Sequence, residues 1–592
     1  MSRRNHSLLV ALATGAFVAS VLIACGSSSS EEGADAGATV GAAPREAVDS
    51  GRPDAARPPS GPPKRIFTKR FVVNVRARPD RESPRIGYLR AGAVLQATTA
   101  DPVSTEGCRE GWFELTTGGF VCNGRDVIAF EGRRLPERRP AQPDWEEPLP
   151  YRFARTRRDN TPMYRRLPSD LEAAVHEGYR VPGMQLEHLP DGGVRFTEEV
   201  AAAPVEMGSE ESAASASAEL ADSRTDRREA IPERAAQPAV AREPQVAEAS
   251  AAAAAAAASG EPPDEEARMV TLGDLQGERG GLLHRRLVKG FIVSLDRDMR
   301  AGARRYWRTL SNGFVPYHSQ VEVRGSTFQG VRLDPPVEGA VAAAPEAAPA
   351  EGEAATASAP AAPRWELPIG FVMSSKTTSF TRGRDGRPRR SRAPGYHYAF
   401  RITGRETHRD REYLVGHDER LYETSEIRIV EAHDPPPEVG PEDHWIEVDL
   451  GNQSLVAYEG RTPVYATLVS TGRVRDPEDP LRDMRTPTGL FRITSKHVTH
   501  TMDGDHAVDG PYSIEDVPYV MYFQLAYALH SAFWHDGFGR PRSHGCVNLA
   551  PLDARWIFQW AGPALPEAWH GSYPTETQPG TWLWIHGETP EG

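Results

Sequence analysis

The sequence predicts a mainly β, multidomain chain whose folded parts are separated by disordered linkers. Its 592 residues exceed what one core organises, since domains of about 100–200 residues imply three or four units. Short runs of alternating apolar and polar residues, bounded by Gly and Pro, recur along it and read as strands. An apolar content of 39%, with 53 Gly and 51 Pro, leaves long stretches that bury too little surface to order themselves. The net charge of -13 excludes nucleic acid as a partner, because phosphate binding needs clustered cations. The basic run Arg387–Arg392 reads as a solvated loop.

Arg3 and Arg4 precede an apolar run from Leu8 to Ala24. That run is too short and wrongly flanked for a stable membrane span and reads as an export signal over residues 1–24. It closes on Leu22-Ile-Ala-Cys25-Gly26 and four serines, which resembles the lipobox of bacterial lipoproteins. The resemblance implies a lipid on Cys25, a membrane anchor there, and a chain held in the cell envelope facing the periplasm. Residues 25–65, rich in Ala, Gly, Pro and Ser, are a tether. A plain secretory signal would also place the chain outside the cytoplasm.

Four cysteines are present. Cys108 and Cys122 bracket two strand-like runs and are close enough in sequence to staple one hairpin by a disulfide. Cys546 is then an odd thiol in an oxidising compartment, either reactive by design or a liability.

Residues 66–132 alternate as a small all-β unit. Asn74-Val-Arg-Ala-Arg-Pro79, Gly87-Tyr-Leu-Arg-Ala-Gly92 and Gly111-Trp-Phe113 resemble the bacterial SH3-like barrels of cell-wall enzymes, modules that either bind peptidoglycan or act as spacers. Residues 149–181 either begin a second β unit or brace the first. Residues 200–265, with the tract Ala251–Ala258, form a low-complexity linker. The β-rich regions 268–335 and 365–432 flank an Ala/Pro/Glu linker at 337–363 and are either two units or one domain interrupted by an insertion. His397, His408 and His417 lack partners at ligand spacing, so neither metal nor cofactor is expected.

Residues 443–588 carry the chemistry. Trp445–Leu450 and Ser454–Tyr458 alternate around Gly451-Asn452, the pattern of a hairpin, and Val464–Val469 adds a third strand ending in Ser470-Thr-Gly472. The turn in Thr486-Pro-Thr-Gly-Leu-Phe491 leads into another strand. Then come His530-Ser531, a loop with Gly537, Gly539 and Pro541, and Ser543-His-Gly-Cys-Val-Asn548. A thiol near its free pKa is mostly protonated at neutral pH, so a cysteine nucleophile needs an imidazole within reach, here His530 or His544. Gly545 permits close approach of a substrate carbonyl, and the N–H groups of Gly545 and Cys546 are candidates for an oxyanion site. Asp553–Trp560 has helical spacing. His500 and His506, with Asp503, Asp505 and Asp509, read as a polar loop, and His535 as a loop residue.

This C-terminal part resembles the L,D-transpeptidase catalytic domain of bacterial cell-wall enzymes, whose pattern is a His, a loop and then Ser/Thr-His-Gly-Cys. The resemblance implies a β-sandwich and assigns roles by position. Cys546 attacks, His530 takes the thiol proton, the Ser531 carbonyl holds that imidazole, and His544, Gly545 and Cys546 line the oxyanion site. Asn548 matches one familial variant, and Tyr512, Tyr522 and Asn548 are candidates for contact with substrate. The partners implied are peptidoglycan stem peptides. A thioester to a tetrapeptide stem forms with release of D-alanine, and the acceptor is open: a second stem, water (an L,D-carboxypeptidase), a D-amino acid or a protein. An inactive peptidoglycan-binding lipoprotein is the reading from another class.

Overall fold

The computed structural model describes residues 61–181, 184–188, 194–198, 271–335, 364–473, 483–506 and 510–590. Cys25, the signal and both long linkers lie outside them. Of the described residues 43% are strand and 6% helix, so the molecule is mainly β.

Residues 65–130 fold into seven short strands around Ile66, Val75, Leu89, Leu95, Phe113 and Val121. Cys108 and Cys122 are disulfide-bonded across this unit. The unit is not self-contained. Its strand Arg85–Leu89 pairs with Gly571–Ser572 from the far end of the chain, and Trp569 completes its core. The two backbones meet so closely that a Cβ on Gly87 would lie 2.3 Å from the Trp569 ring.

Residues 149–181 do not stand alone: Tyr151 meets Arg90 of the 65–130 unit. Arg152–Thr156 pairs with both Ile292–Ala301 and Gln320–Val323, while Thr161–Tyr164 pairs with Leu283–Leu287. The segment therefore belongs with the 268–335 region, to which it contributes strands and the helix Asp170–Glu177, capped by a Ser169–Glu172 capping box. Residues 365–432 form a seven-stranded sheet of their own, while Ile369, Phe371 and Val430 share one hydrophobic core with Phe153, Ile292 and Val331.

The two β-rich regions are two copies of one arrangement. The strands 292–301, 304–309, 314–316 and 320–323, with a 3₁₀ turn at 317–319, recur 107 positions later as 399–408, 411–416, 421–423 and 427–430, with the turn at 424–426. The bulge after Leu295 recurs after Ile402. Left-handed residues recur too: Gly302 and Arg409 have φ 56° and 55°, Asn312 and Glu419 67° and 62°. Between 292–323 and 399–430 the only identities are Arg304/Arg411, Tyr306/Tyr413 and Val323/Val430.

In the C-terminal part, strands His444–Asp449, Ser454–Glu459 and Thr462–Leu468 pair antiparallel as the alternation predicts. The last strand, Trp582–His586, lies parallel to the first, and Val331–Arg332 adds an edge to Thr462–Leu468. One face of this sheet, with Ile446, Val448, Leu455 and Leu583, packs on Leu529, Val547, Leu549 and the helix Pro551–Trp560. Both of its faces are therefore covered, since Trp445, Tyr458 and Trp584 join a second core on the other side.

The hairpin Ser495–His506/Gly510–Gln524 is the second architectural element. It overturns the reading of residues around His500 as a polar loop: His500, Asp503, Asp505 and His506 lie on a strand, and Asp509 falls outside the described residues. The alternation there is irregular because a bulge sits between His500 and Met502, which hides the strand's period. Among the described residues no helix is long and apolar enough to cross a membrane.

Candidate active site

The strand Tyr527–Ser531 carries His530, and it pairs in parallel with Val547–Leu549 so that His530 stands opposite Asn548. Side chains alternate across a strand, so His530 and Asn548 share a face, and Cys546, two residues before Asn548, enters on that same face. On its other side the strand pairs with the long hairpin, Tyr522 opposite Ala528, which puts Tyr522 on this face as well.

His530 is fully buried. Its Nδ1–H donates to the Ser531 carbonyl at 3.1 Å, so the neutral ring carries its lone pair on Nε2. That nitrogen is buried and makes no hydrogen bond among the described residues. The tautomer is the one a proton acceptor requires. Burial lowers the His530 pKa to about 4, the carbonyl bond opposing the shift. The Cys546 thiol is 1% exposed and is pushed up to about 12 by burial, with the Ala528 backbone opposing. Burial thus disfavours the charged form of each group.

The turn that presents Cys546 is held from two directions. Ser543 Oγ accepts from Gly545 N–H at 3.0 Å and donates to the Cys546 carbonyl. Ser470-Thr-Gly472 runs alongside, with Ser543 N–H on the Thr471 carbonyl at 3.0 Å and reciprocal Ser470–Asn548 backbone bonds at 2.9 Å. The Gly545 N–H, one of the candidate oxyanion donors, is thus occupied by Ser543 in this structure. Ser543 itself was missed; a serine two residues before an N–H in a Gly-containing turn is the local signal that identifies it.

Gly545 has a second duty. Its φ is +116° and a Cβ there would lie 2.3 Å from the Tyr527 ring, so only glycine fits. Gly545→Ala is expected to displace Tyr527 and the turn, lowering the acylation rate of Cys546 by at least about tenfold, a cost of roughly 1.4 kcal/mol in barrier. Single-turnover mass spectrometry against the unmodified chain measures it, and an unchanged rate would refute the close-packing requirement.

The other candidates gather around this turn. The His544 ring is buried and stacks on Tyr512, centroids 6.1 Å apart at 14°. The Tyr522 phenol lies near enough to Cys546 for the thiol to raise its pKa, second to burial, and its OH is 2.8 Å from His500 Nδ1. His535 lies in a loop, half-buried. Desolvation lowers its pKa to about 3, and Nδ1 accepts from Gly537 N–H at 3.2 Å. A neutral His535 therefore carries its proton on Nε2, which lies 3.2 Å from the Asn548 amide; that amide is satisfied with its oxygen turned to the ring. Asn548 is thereby tied to the loop between His530 and Cys546, and neither His500 nor His535 could be placed from local spacing.

A family model described as the L,D-transpeptidase catalytic domain matches residues 443–588. Among solved structures the chain is similar to an Enterococcus faecium L,D-transpeptidase at 23% identity, covering 24% of this chain and 50% of that one with a TM-score of 0.19. It is similar to the catalytic domain of the E. faecium L,D-transpeptidase at 26% identity, covering 24% of this chain and 98% of that one, TM-score 0.19. For an L,D-transpeptidase from Mycobacterium smegmatis the values are 19%, 28%, 73% and 0.19. The chain thus spans about half the length of the first of these. No curated protein sequence matches it. Residues 443–588, which hold Cys546 and His530, are an L,D-transpeptidase catalytic domain.

Proposed function

We propose that the chain is an envelope-anchored peptidoglycan L,D-transpeptidase that works through a thioester on Cys546. As Sγ attacks the carbonyl of the third residue of a tetrapeptide stem, His530 Nε2 takes the thiol proton. The peptide bond to the terminal D-alanine then breaks, and the imidazolium returns that proton to the leaving amine. In the second half an acceptor amine attacks the thioester carbonyl, His530 takes its proton, and Sγ leaves and is reprotonated. The observation that carries this reading is the buried, unpartnered Nε2 of His530 on the same strand face as Cys546. The lipobox-like run ending at Cys25 supports a lipid anchor and a periplasm-facing location.

Incubating the chain with a disaccharide tetrapeptide is expected to yield a covalent adduct lighter than the donor by one D-alanine, absent from Cys546→Ala. Folded protein that forms neither adduct nor product would sink the enzyme reading. A defined diaminopimelate-containing acceptor separates transpeptidation from hydrolysis in the same assay.

A further inference from the structure

Glu447 is a carboxylate in the middle of the strand His444–Asp449, its side chain 3% exposed. Its face of the strand carries Trp445, Glu447 and Asp449. The parallel pairing sets Trp584 opposite Glu447 and His586 opposite Asp449, so the imidazole of His586 reaches the carboxylate from one step along the neighbouring strand. His433, from the connection between Val430 and His444, closes over the same point. The result is His433 Nδ1 at 2.5 Å and His586 Nε2 at 2.7 Å, both on Glu447 Oε1, with Tyr458 OH donating to Oε2 at 2.8 Å.

We infer that His433, Glu447 and His586 form a binding site for a divalent transition-metal cation of the zinc type. Three potential ligand atoms, two imidazole nitrogens and a carboxylate oxygen, lie within 4.8 Å of one another. That donor set suits borderline-soft ions and not the all-oxygen preference of calcium or magnesium. Ligand bonds of about 2.0–2.2 Å bring such atoms somewhat over 3 Å apart, a small adjustment for imidazoles whose side chains are 41% and 24% exposed.

The surroundings are those of a supported site. Tyr458 orients the carboxylate from outside the ligand set, the kind of partner that tunes a metal site. Trp584 stacks on His586, centroids 4.1 Å apart at 27°, and fixes its ring. The adjoining shallow cleft is lined by Glu431, Asp449, Ser454 and Val456, which places further carboxylates beside the three ligands. The cation would tie the connection after the 365–432 sheet to the first and last strands of the catalytic sheet. The role is structural and separate from the chemistry at Cys546, so its failure would leave the proposed reaction untouched.

The test uses the full chain in detergent, stripped with a chelator and titrated with Co²⁺ and with Zn²⁺. One equivalent is expected to bind with micromolar or tighter affinity, giving the visible absorption of low-coordinate Co²⁺ and a Zn²⁺-dependent rise in melting temperature. His433→Ala removes a half-exposed ring from outside any strand, so the fold should survive it. It and His586→Ala are each expected to weaken this binding more than about tenfold, the loss already produced by removing outer partners of a metal site. His408→Ala, whose ring pairs with Glu406 on the surface, should leave it unchanged. Absence of the Co²⁺ equivalent, or the same stoichiometry and affinity in all three variants, would overturn the site and leave Glu447 as a carboxylate held by hydrogen bonds alone.

Discussion

His530→Ala is expected to lower the acylation rate of Cys546 by about 10²–10⁴-fold, the range removed with a positioned general base. The size follows from the resting state. Burial holds the thiol up, to about 12, and the imidazole down, to about 4, so the thiolate is disfavoured and attack depends on proton transfer to Nε2 as the C–S bond forms. The pH dependence carries the sign of the His530 shift. A lowered imidazole pKa keeps the ring neutral, and the base competent, well below the ordinary histidine range. Acylation by the unmodified chain should therefore stay level from neutral pH down to roughly pH 5 and fall as pH drops through about 4. Stopped-time mass spectrometry of the adduct across pH measures both effects. A loss of rate centred between pH 6 and 7, or unchanged acylation by His530→Ala, would remove His530 from the role of base.

Asp516→Ala is expected to destabilise the fold by about 3–5 kcal/mol, the cost of breaking a buried ion pair by deleting one partner. Asp516 lies on the long hairpin and is buried, as is Arg90 of the 65–130 unit, which it meets at 2.6 Å. Thr499 and Ser294 also donate to it, at 2.9 Å and 2.5 Å, so three parts of the chain converge on one carboxylate. Desolvation alone would raise its pKa, yet Arg90 and these donors hold it below the ordinary carboxylate value. A depressed folded-state pKa stabilises above the unfolded value and is lost as pH falls through the folded one, so the difference between Asp516→Ala and the unmodified chain should shrink in acid. The deletion leaves the Arg90 guanidinium buried and uncompensated. Denaturant unfolding at pH 7 measures the loss, and limited proteolysis reports whether the 65–130 unit undocks. A change below about 0.5 kcal/mol, the scatter of ordinary surface substitutions, would show that this pair does not hold the units together.

The same two regions mark how far the chain could be read without coordinates. The catalytic turn was legible because its chemistry is local: Ser543-His-Gly-Cys546 and His530 declare themselves by residue type and spacing, and the hairpin around Gly451-Asn452 by alternation. The repeat linking 292–323 to 399–430 was not, since it preserves backbone register, a bulge and two left-handed positions while keeping three identities. Beyond those three identities the two copies share only apolar alternation, which strands elsewhere in the chain show as well. His500 reads as a loop residue because its partner, Tyr522, is set by strand pairing, and the loop residue His535 likewise meets Asn548 only in the folded chain.

The amino-acid order by itself therefore determined the mainly β class and the match of the C-terminal part to one catalytic family, and it named the thiol and the imidazole on which the proposed reaction rests. Each of these rests on interactions between residues close in the chain, or on chemistry that few residue types can perform. Only the tertiary structure decided that the 65–130 unit is sewn into the C-terminal part through Gly571–Ser572 and Asp516, and that Gly545 spends its N–H on Ser543. It alone brought His433 and His586 to Glu447. Those outcomes depend on which distant strands pair and in what register, a choice made by burial of whole faces at once, and no local stretch of sequence contains it.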